Sequence, residues 1–204
     1  HVGKTFTLTL PAYASFAPYN PPEPAPQLAV VGDSLAVGTD LPLRAALPGW
    51  KVTTQGRVGR PLAEGMAVLG WTPTPDTPIA LAFSLFTNDD PRHVDDLDAA
   101  VRASVDRLGP ADCAIWATIV RPKVAGVTYG AANRALRALA EGYPDRVLIV
   151  DWARAVKRHP EWISKDGVHP GEAGYAARAQ LYANQAMACQ THWQLTGGSQ
   201  PFTR

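Results

Sequence analysis

From Gln27 onward, short apolar and β-branched runs alternate with segments whose apolar residues recur at helical spacing. The runs fall at Leu28–Val31, Lys51–Thr54, Pro78–Phe83, Cys113–Val120 and Arg146–Val150, and each reads as a strand. Between them lie expected helices at Leu41–Leu47, Leu62–Leu69, Val94–Leu108 and Tyr129–Ala140, with a longer one at Glu172–Cys189 closing the chain. The third shows the spacing most clearly, with Val94, Leu97, Val101, Val105 and Leu108 on one face and a stop at Gly109-Pro110. Strands joined through helices require crossovers, which favour a parallel sheet covered on both faces. Near-continuous apolar strands such as Ile79–Phe83 and Ala114–Val120 suit such a doubly covered sheet. The pattern predicts an α/β domain over 27–204, three layers α/β/α, with about five strands.

Residues 1–26 differ from the rest. Lys4–Leu10 alternates and reads as a strand, on a sheet edge or in an upstream module. Pro18–Pro26 is a stiff, Pro-rich stretch of the linker kind. The segment 1–26 is therefore expected to be an N-terminal extension. The sequence opens at His1 with neither Met nor a signal-peptide pattern, and the expectation is a mature or trimmed product.

Composition narrows the function classes. Of the 204 residues, 46% are hydrophobic and 18% charged, as in ordinary globular domains. A formal net charge of +1 supplies no field for nucleic acid. No apolar run is long enough to span a bilayer. Cys113 and Cys189 are either two buried thiols or one bridge in an exported protein. Together with the linker they suggest an extracellular, periplasmic or cell-envelope setting. A monomer is the default expectation.

Ligands of parallel α/β sheets gather at the carboxyl ends of the strands. The first strand runs into Gly32-Asp33-Ser34-Leu35 there. A Walker loop needs four residues between its glycines and then Lys, whereas five separate Gly32 from Gly38 and Thr39 follows. The Gly-x-Gly-x-x-Gly dinucleotide turn is absent. Taken alone, Asp33 and Ser34 read as a helix cap. Three further polar clusters share the same end of the sheet: Gln55–Arg60, Thr87-Asn88-Asp89 and Asp166–Pro170. Together they supply acyl-transfer chemistry. A serine hydroxyl needs a base, and His169 is one. A carboxylate such as Asp166 holds the imidazole in one tautomer and stabilises its charged form. Backbone N–H groups at Ser34 and Gly59, with the Asn88 amide, would make an oxyanion hole.

These blocks resemble the GDSL, or SGNH, hydrolase family over Gln27 to about Cys189. Gly32-Asp33-Ser34-Leu35 matches the first block in full, Gly59 fits the second, and Asp166 with His169 fits the Asp-x-x-His of the last. The third block, Gly-x-Asn-Asp, appears as Phe86-Thr87-Asn88-Asp89, with Phe86 where the family has glycine. The resemblance implies a flavodoxin-like sheet, Ser34 as nucleophile, and Asn88 as an oxyanion donor. Phe86 is expected to narrow the site or reshape its loop, changing substrate shape.

Arg57 and Arg60 flank Gly59 and either line the cleft or are solvated. Trp162, four residues before Asp166, is the tryptophan placed to reach the site, while the other tryptophans read as core. His93 and His159 read as surface residues. No histidine pair has zinc spacing, and neither a catalytic metal nor another cofactor is expected. The chain has no long lid insertion for a fatty acid, so the expected substrate is a small-acyl ester, acetyl-like, of a small molecule, carbohydrate or cell-wall glycan. The same acyl-enzyme would also serve an O-acyltransferase. A non-catalytic glycan-binding module is the remaining alternative, with Phe86 as its support.

Overall fold

The computed structural model describes residues 25–68 and 79–196. The expected strand at Lys4–Leu10, most of the Pro18–Pro26 linker, and Leu69, Trp71 and Pro78 lie outside the described residues. The strands are β1 (Gln27–Gly32), β2 (Lys51–Gly56), β3 (Ile79–Ser84), β4 (Cys113–Ala117) and β5 (Val147–Val150). They form one parallel sheet in the order β2-β1-β3-β4-β5. Strand order reverses between β1 and β3, so a crevice opens beyond their carboxyl ends.

The helices are α1 (Ser34–Ala46), α2 (Leu62–Ala67), α3 (Val94–Asp106), α4 (Gly130–Gly142), α5 (Trp152–Arg158) and α6 (Glu172–Thr196). One core, on the face of α2, α3 and α4, gathers Leu62, Phe83, Leu97, Val101, Trp116 and Leu136. The other, on the face of α1, α5 and α6, gathers Leu28, Leu43, Ile115, Trp152, Tyr182 and Ala186. All of β4 is buried. Phe83 and Trp116, register partners on β3 and β4, stack with centroids 4.3 Å apart, a cross-strand contact worth about 1 kcal/mol beyond its buried area.

Two elements depart from the expected pattern. The first helix begins at Ser34 rather than Leu41, because the Asp33 side chain caps it by accepting from the Leu35 N–H at 2.9 Å. Pro42 sits inside this helix without ending it. The chain also forms α5 and a 3-10 turn over Pro160–Trp162, neither of which the apolar pattern announced. Asp151 caps α5 through the Arg154 N–H, and Lys157 and Arg158 lie in its last turn, where cations suit the helix dipole.

Cys113 and Cys189 form a disulfide with Cα atoms 6.0 Å apart. It ties α6 to the start of β4, and both residues are buried. Closing a loop of 76 residues removes unfolded-state entropy equivalent to about 4 kcal/mol in the chain-entropy model. The double variant Cys113→Ala/Cys189→Ala is expected to lose about 2–4 kcal/mol in urea unfolding, and reductant should lower the midpoint of the wild type alone. A wild-type midpoint indifferent to reductant would contradict the bridge.

Candidate active site

The carboxyl ends of β1 and β3 carry the first part of the site. Ser34 opens α1 directly after β1, so its N–H belongs to the first turn, where helical N–H groups have no intrahelical partner. Asn88 follows β3 across the crevice. The second part arrives from far along the chain. Ile163 and Pro170 pair in an antiparallel bridge that closes the neck of a tight turn. Inside it the Gly167 N–H donates to Ser164 O at 3.0 Å, and Gly167 takes φ +73°, a conformation L side chains rarely adopt.

This turn presents His169 to Ser34. Ser34 Oγ lies 2.8 Å from His169 Nε2, and His169 Nδ1 lies 2.7 Å from Asp166 Oδ2. Asp166 Oδ1 accepts from the Val168 N–H at 2.8 Å, the His169 N–H at 2.9 Å and the Ser164 hydroxyl at 2.9 Å. The backbone bond from Val168, then the His169 ring and backbone and Ser164, hold the Asp166 carboxyl well below the usual carboxylate range. Asp166 therefore stays ionised wherever an imidazole titrates. An ionised carboxylate only accepts, so His169 Nδ1 carries the proton and Nε2 turns its lone pair to the Ser34 hydroxyl. This is the geometry that removes a proton from a serine. The array is open, with the His169 and Asp166 side chains 44% and 49% exposed.

Behind Ser34 lies Asp33, at 0% exposure. Its Oδ1 caps α1 and lies 3.5 Å from the donating Ser84 hydroxyl, while Oδ2 accepts from Asn88 Nδ2 at 3.4 Å. Burial pushes its pKa up, and hydrogen bonds together with the Arg178 charge pull against that. Arg178, at 1% exposure, donates to Ser84 Oγ at 2.9 Å and lies over the Trp152 ring at 5.3 Å.

Gly59 occupies an exposed turn after β2 with φ +73°. The Arg60 N–H donates to Arg57 O at 3.1 Å across this turn, and Gly59 stands where a type II turn needs a positive φ. The Arg57 N–H donates to Gly32 O at 3.1 Å, which ties the turn to the residue two before Ser34. Asn88 is exposed, and its Nδ2 also reaches Arg60 O at 3.3 Å.

The other expected substrate contacts are placed differently. Arg60 is buried rather than solvated or lining the cleft, because its Nη1 donates to Gly32 O at 3.2 Å and to Gln55 O, joining the ends of β1 and β2. Arg57 is half exposed in an ion pair with Glu64. Trp162 stacks between His159, at 4.2 Å, and Trp152, at 6.0 Å, and packs against the core instead of facing Ser34. Its carbonyl accepts from the Gly171 N–H at 2.9 Å, so it braces the His169 turn from behind.

Phe86 does not narrow the mouth. Its ring is 0% exposed and meets Tyr129 edge-on at 6.2 Å. It does adopt φ +72°, the backbone state that glycine at this position provides freely. Asp89, beside Asn88, caps α2 by accepting from the Leu62 N–H at 2.9 Å. The Tyr129 hydroxyl donates to Asp89 O at 2.7 Å. Sequence reasoning missed Ser84, Ser164 and Arg178. Only Arg178 carried a signal, since it falls in register with Gly174, Tyr182 and Ala186 on the buried face of α6. Among the described residues no three His, Cys, Asp or Glu side chains gather to share a metal ion, and no helix is long and apolar enough to cross a membrane.

Comparison with known proteins agrees with this architecture. No family model and no curated protein matches the chain. Solved structures do. The C-terminal catalytic domain of Streptococcus pneumoniae peptidoglycan O-acetyltransferase A, solved with a methylsulfonyl adduct, is 26% identical, with a TM-score of 0.61 over 83% of this chain and 96% of that one. A member of the lipolytic G-D-S-L family from Veillonella parvula is 18% identical, with a TM-score of 0.58 over 80% and 97%. An acetylxylan esterase from Geobacillus stearothermophilus is 18% identical, with a TM-score of 0.61 over 79% and 94%. The sheet and its flanking helices are thus those of the SGNH hydrolase fold.

Two substitutions probe the balance of forces here. Phe86→Gly relieves a left-handed backbone worth about 1–2 kcal/mol but empties a buried ring site worth about 3–5 kcal/mol. Lost packing outweighs relieved strain, so the variant should be less stable by about 2–3 kcal/mol in chemical denaturation; a stabilised protein would contradict the packing. Arg178→Met removes the buried cation facing Asp33 and should lower stability by about 3–5 kcal/mol at neutral pH. Because burial raises the Asp33 pKa, the deficit should shrink as pH falls and Asp33 becomes neutral. A deficit independent of pH would contradict charge compensation.

Proposed function

We propose that this chain, built on the fold and the residue blocks of the GDSL/SGNH hydrolases, is a serine ester hydrolase that releases small acyl groups through an acyl-enzyme on Ser34. The observation that carries the reading is the continuous relay from Ser34 Oγ through His169 to Asp166, at 2.8 and 2.7 Å. Ser34 Oγ attacks the ester carbonyl while His169 Nε2 takes its proton, and ionised Asp166 stabilises the imidazolium. The Ser34 and Gly59 N–H groups and Asn88 Nδ2 meet the developing oxyanion. His169 then protonates the departing alkoxide. Water, deprotonated by His169 in turn, releases the acid and restores the serine.

An exposed His169 and Asp166 favour esters carried on the surface of a larger molecule, such as an O-acetylated carbohydrate or cell-wall glycan. The fold likeness to an acetylxylan esterase agrees with this. The buried disulfide supports an oxidising compartment, extracellular, periplasmic or at the cell envelope. The likeness to a peptidoglycan O-acetyltransferase domain favours a second reading, in which a sugar hydroxyl replaces water in the last step. A non-catalytic glycan-binding module loses its support, because Phe86 lies in the core and leaves the relay intact.

The test is turnover of p-nitrophenyl acetate, butyrate and octanoate by wild type and Ser34→Ala, with mass spectrometry after exposure to a sulfonyl fluoride. The wild type should prefer acetate and gain one sulfonyl adduct on Ser34, and the variant should lose roughly 10³-fold or more in kcat. Equal turnover by the two proteins would overturn the reading. Adding an oligosaccharide acceptor separates the last step: acetylated sugar marks a transferase, and free acetate alone marks a hydrolase.

A further inference from the structure

Arg121 stands in the loop between β4 and α4, outside every residue block that identifies the site. Its Nη1 donates to two acceptors of the Asn88 loop, the carbonyl of Thr87 and the side-chain Oδ1 of Asn88, the latter at 3.2 Å. The two ends of an asparagine amide are nearly equal in shape, so its neighbours decide which end faces where. A guanidinium only donates, and therefore fixes Oδ1 towards Arg121. The opposite end meets the Asp33 carboxyl at 3.4 Å and the Arg60 carbonyl at 3.3 Å, and the carbonyl only accepts. Arg121 and the Arg60 carbonyl select the same orientation. The two Nδ2 contacts are long for N–H donors, so an oxyanion on a Ser34 adduct competes with them readily.

We propose that Arg121 is a positioning residue for the oxyanion hole, holding the Asn88 amide so that Nδ2 rather than Oδ1 faces the reacting carbonyl. The inference rests on the acyl-enzyme reading of Ser34. An amide turned the other way would set an oxygen against the developing negative charge. Arg121 also polarises the amide it holds, which strengthens the hydrogen bond Nδ2 gives. Its neighbour Pro122 packs beside the His169 turn, where a Cβ on Gly167 would come within 2.8 Å of Pro122 Cγ. The arginine is thus seated next to the turn that carries the base. The Asn88 loop has a separate brace in Tyr129, whose hydroxyl donates to Thr87 O at 3.2 Å and to Asp89 O at 2.7 Å. Removing Arg121 therefore releases the amide without releasing the loop.

The test is a double-mutant cycle on p-nitrophenyl acetate hydrolysis with Arg121→Met, Asn88→Ala and the pair, alongside Arg121→Lys and Arg121→Ala. Arg121→Met is expected to lower kcat about 10–30-fold, less than deleting an oxyanion donor outright, with KM within about twofold and thermal unfolding unchanged. Arg121→Lys, which still donates, should recover part of the loss. In the Asn88→Ala background the Met substitution should cost nothing further. Wild-type kcat in Arg121→Met, or the same fall with and without Asn88, would overturn the proposal. If Arg121→Met does not fold, Arg121→Ala, which likewise cannot donate, takes its place in the cycle under the same criteria. Full turnover by Ser34→Ala would instead defeat the acyl-enzyme reading. A failed cycle in an enzyme that still depends on Ser34 would defeat the role of Arg121 alone.

Discussion

Asp33 carries a carboxylate out of water at the end of β1, and four elements meet on it. It caps α1 through the Leu35 N–H, lies against Ser84 at the end of β3, accepts from Asn88 beyond β3, and faces the buried Arg178 of α6 by way of the Ser84 hydroxyl. Burying a charge costs several kcal/mol unless hydrogen bonds and an opposite charge offset it. Burial does push the Asp33 pKa up, against its bonds and Arg178. The arrangement is stable only when every partner is in place. That requirement fixes where α1 starts, and with it the position of Ser34.

The opposite half of the relay obeys a different rule. Asp166 and His169 are half exposed, where a carboxylate–imidazole pair gains little from Coulomb attraction alone. Local geometry does the positioning. One Asp166 oxygen is held by two backbone N–H groups and Ser164 of its own turn, which leaves the other aimed at the ring. Trp162, stacked between Trp152 and His159, supports the turn from the core side. A rigid buried half therefore meets an exposed half that is rigid through its own hydrogen bonds.

The sheet was legible in the sequence because parallel strands covered on both faces are apolar without interruption, as in β4. Ser34, Asn88, Asp166 and His169 were legible as candidates because the polar clusters that interrupt the apolar pattern hold the side chains the proposed acyl transfer would use, and the structure brings Ser34, Asp166 and His169 within hydrogen-bond reach of one another. Side-chain direction was not legible. Phe86 in a position that usually holds glycine suggested an obstruction, yet its backbone adopts the glycine conformation and its ring turns into the core. Arg60 and Trp162 misled in the same way, because proximity in sequence to a site residue does not fix which way a side chain points. Arg121 gave no signal at all, being a loop arginine whose meaning depends on a contact 33 residues away. The start of α1 was hidden by Gly38 and Pro42, which weaken its helical pattern, although the Asp33 cap marked it.

The openness of the relay bears on the final step of the proposed reaction. An acyl group on Ser34 beside a half-exposed His169 is within reach of bulk water. Water needs no binding site, and its concentration exceeds that of any dissolved sugar by orders of magnitude. A sugar hydroxyl prevails only if binding gives it an effective molarity that outweighs this excess, or if the bound sugar itself covers the ester and excludes water. The rigid elements around Ser34 are committed to one another: Arg60 to strand carbonyls, Trp162 to its stack and Phe86 to the core. None of these side chains is left over to shield the acyl group. If Ser34 carries the acyl group as proposed, these three side chains give it no cover, and transfer in place of hydrolysis would then call on an acceptor that brings its own.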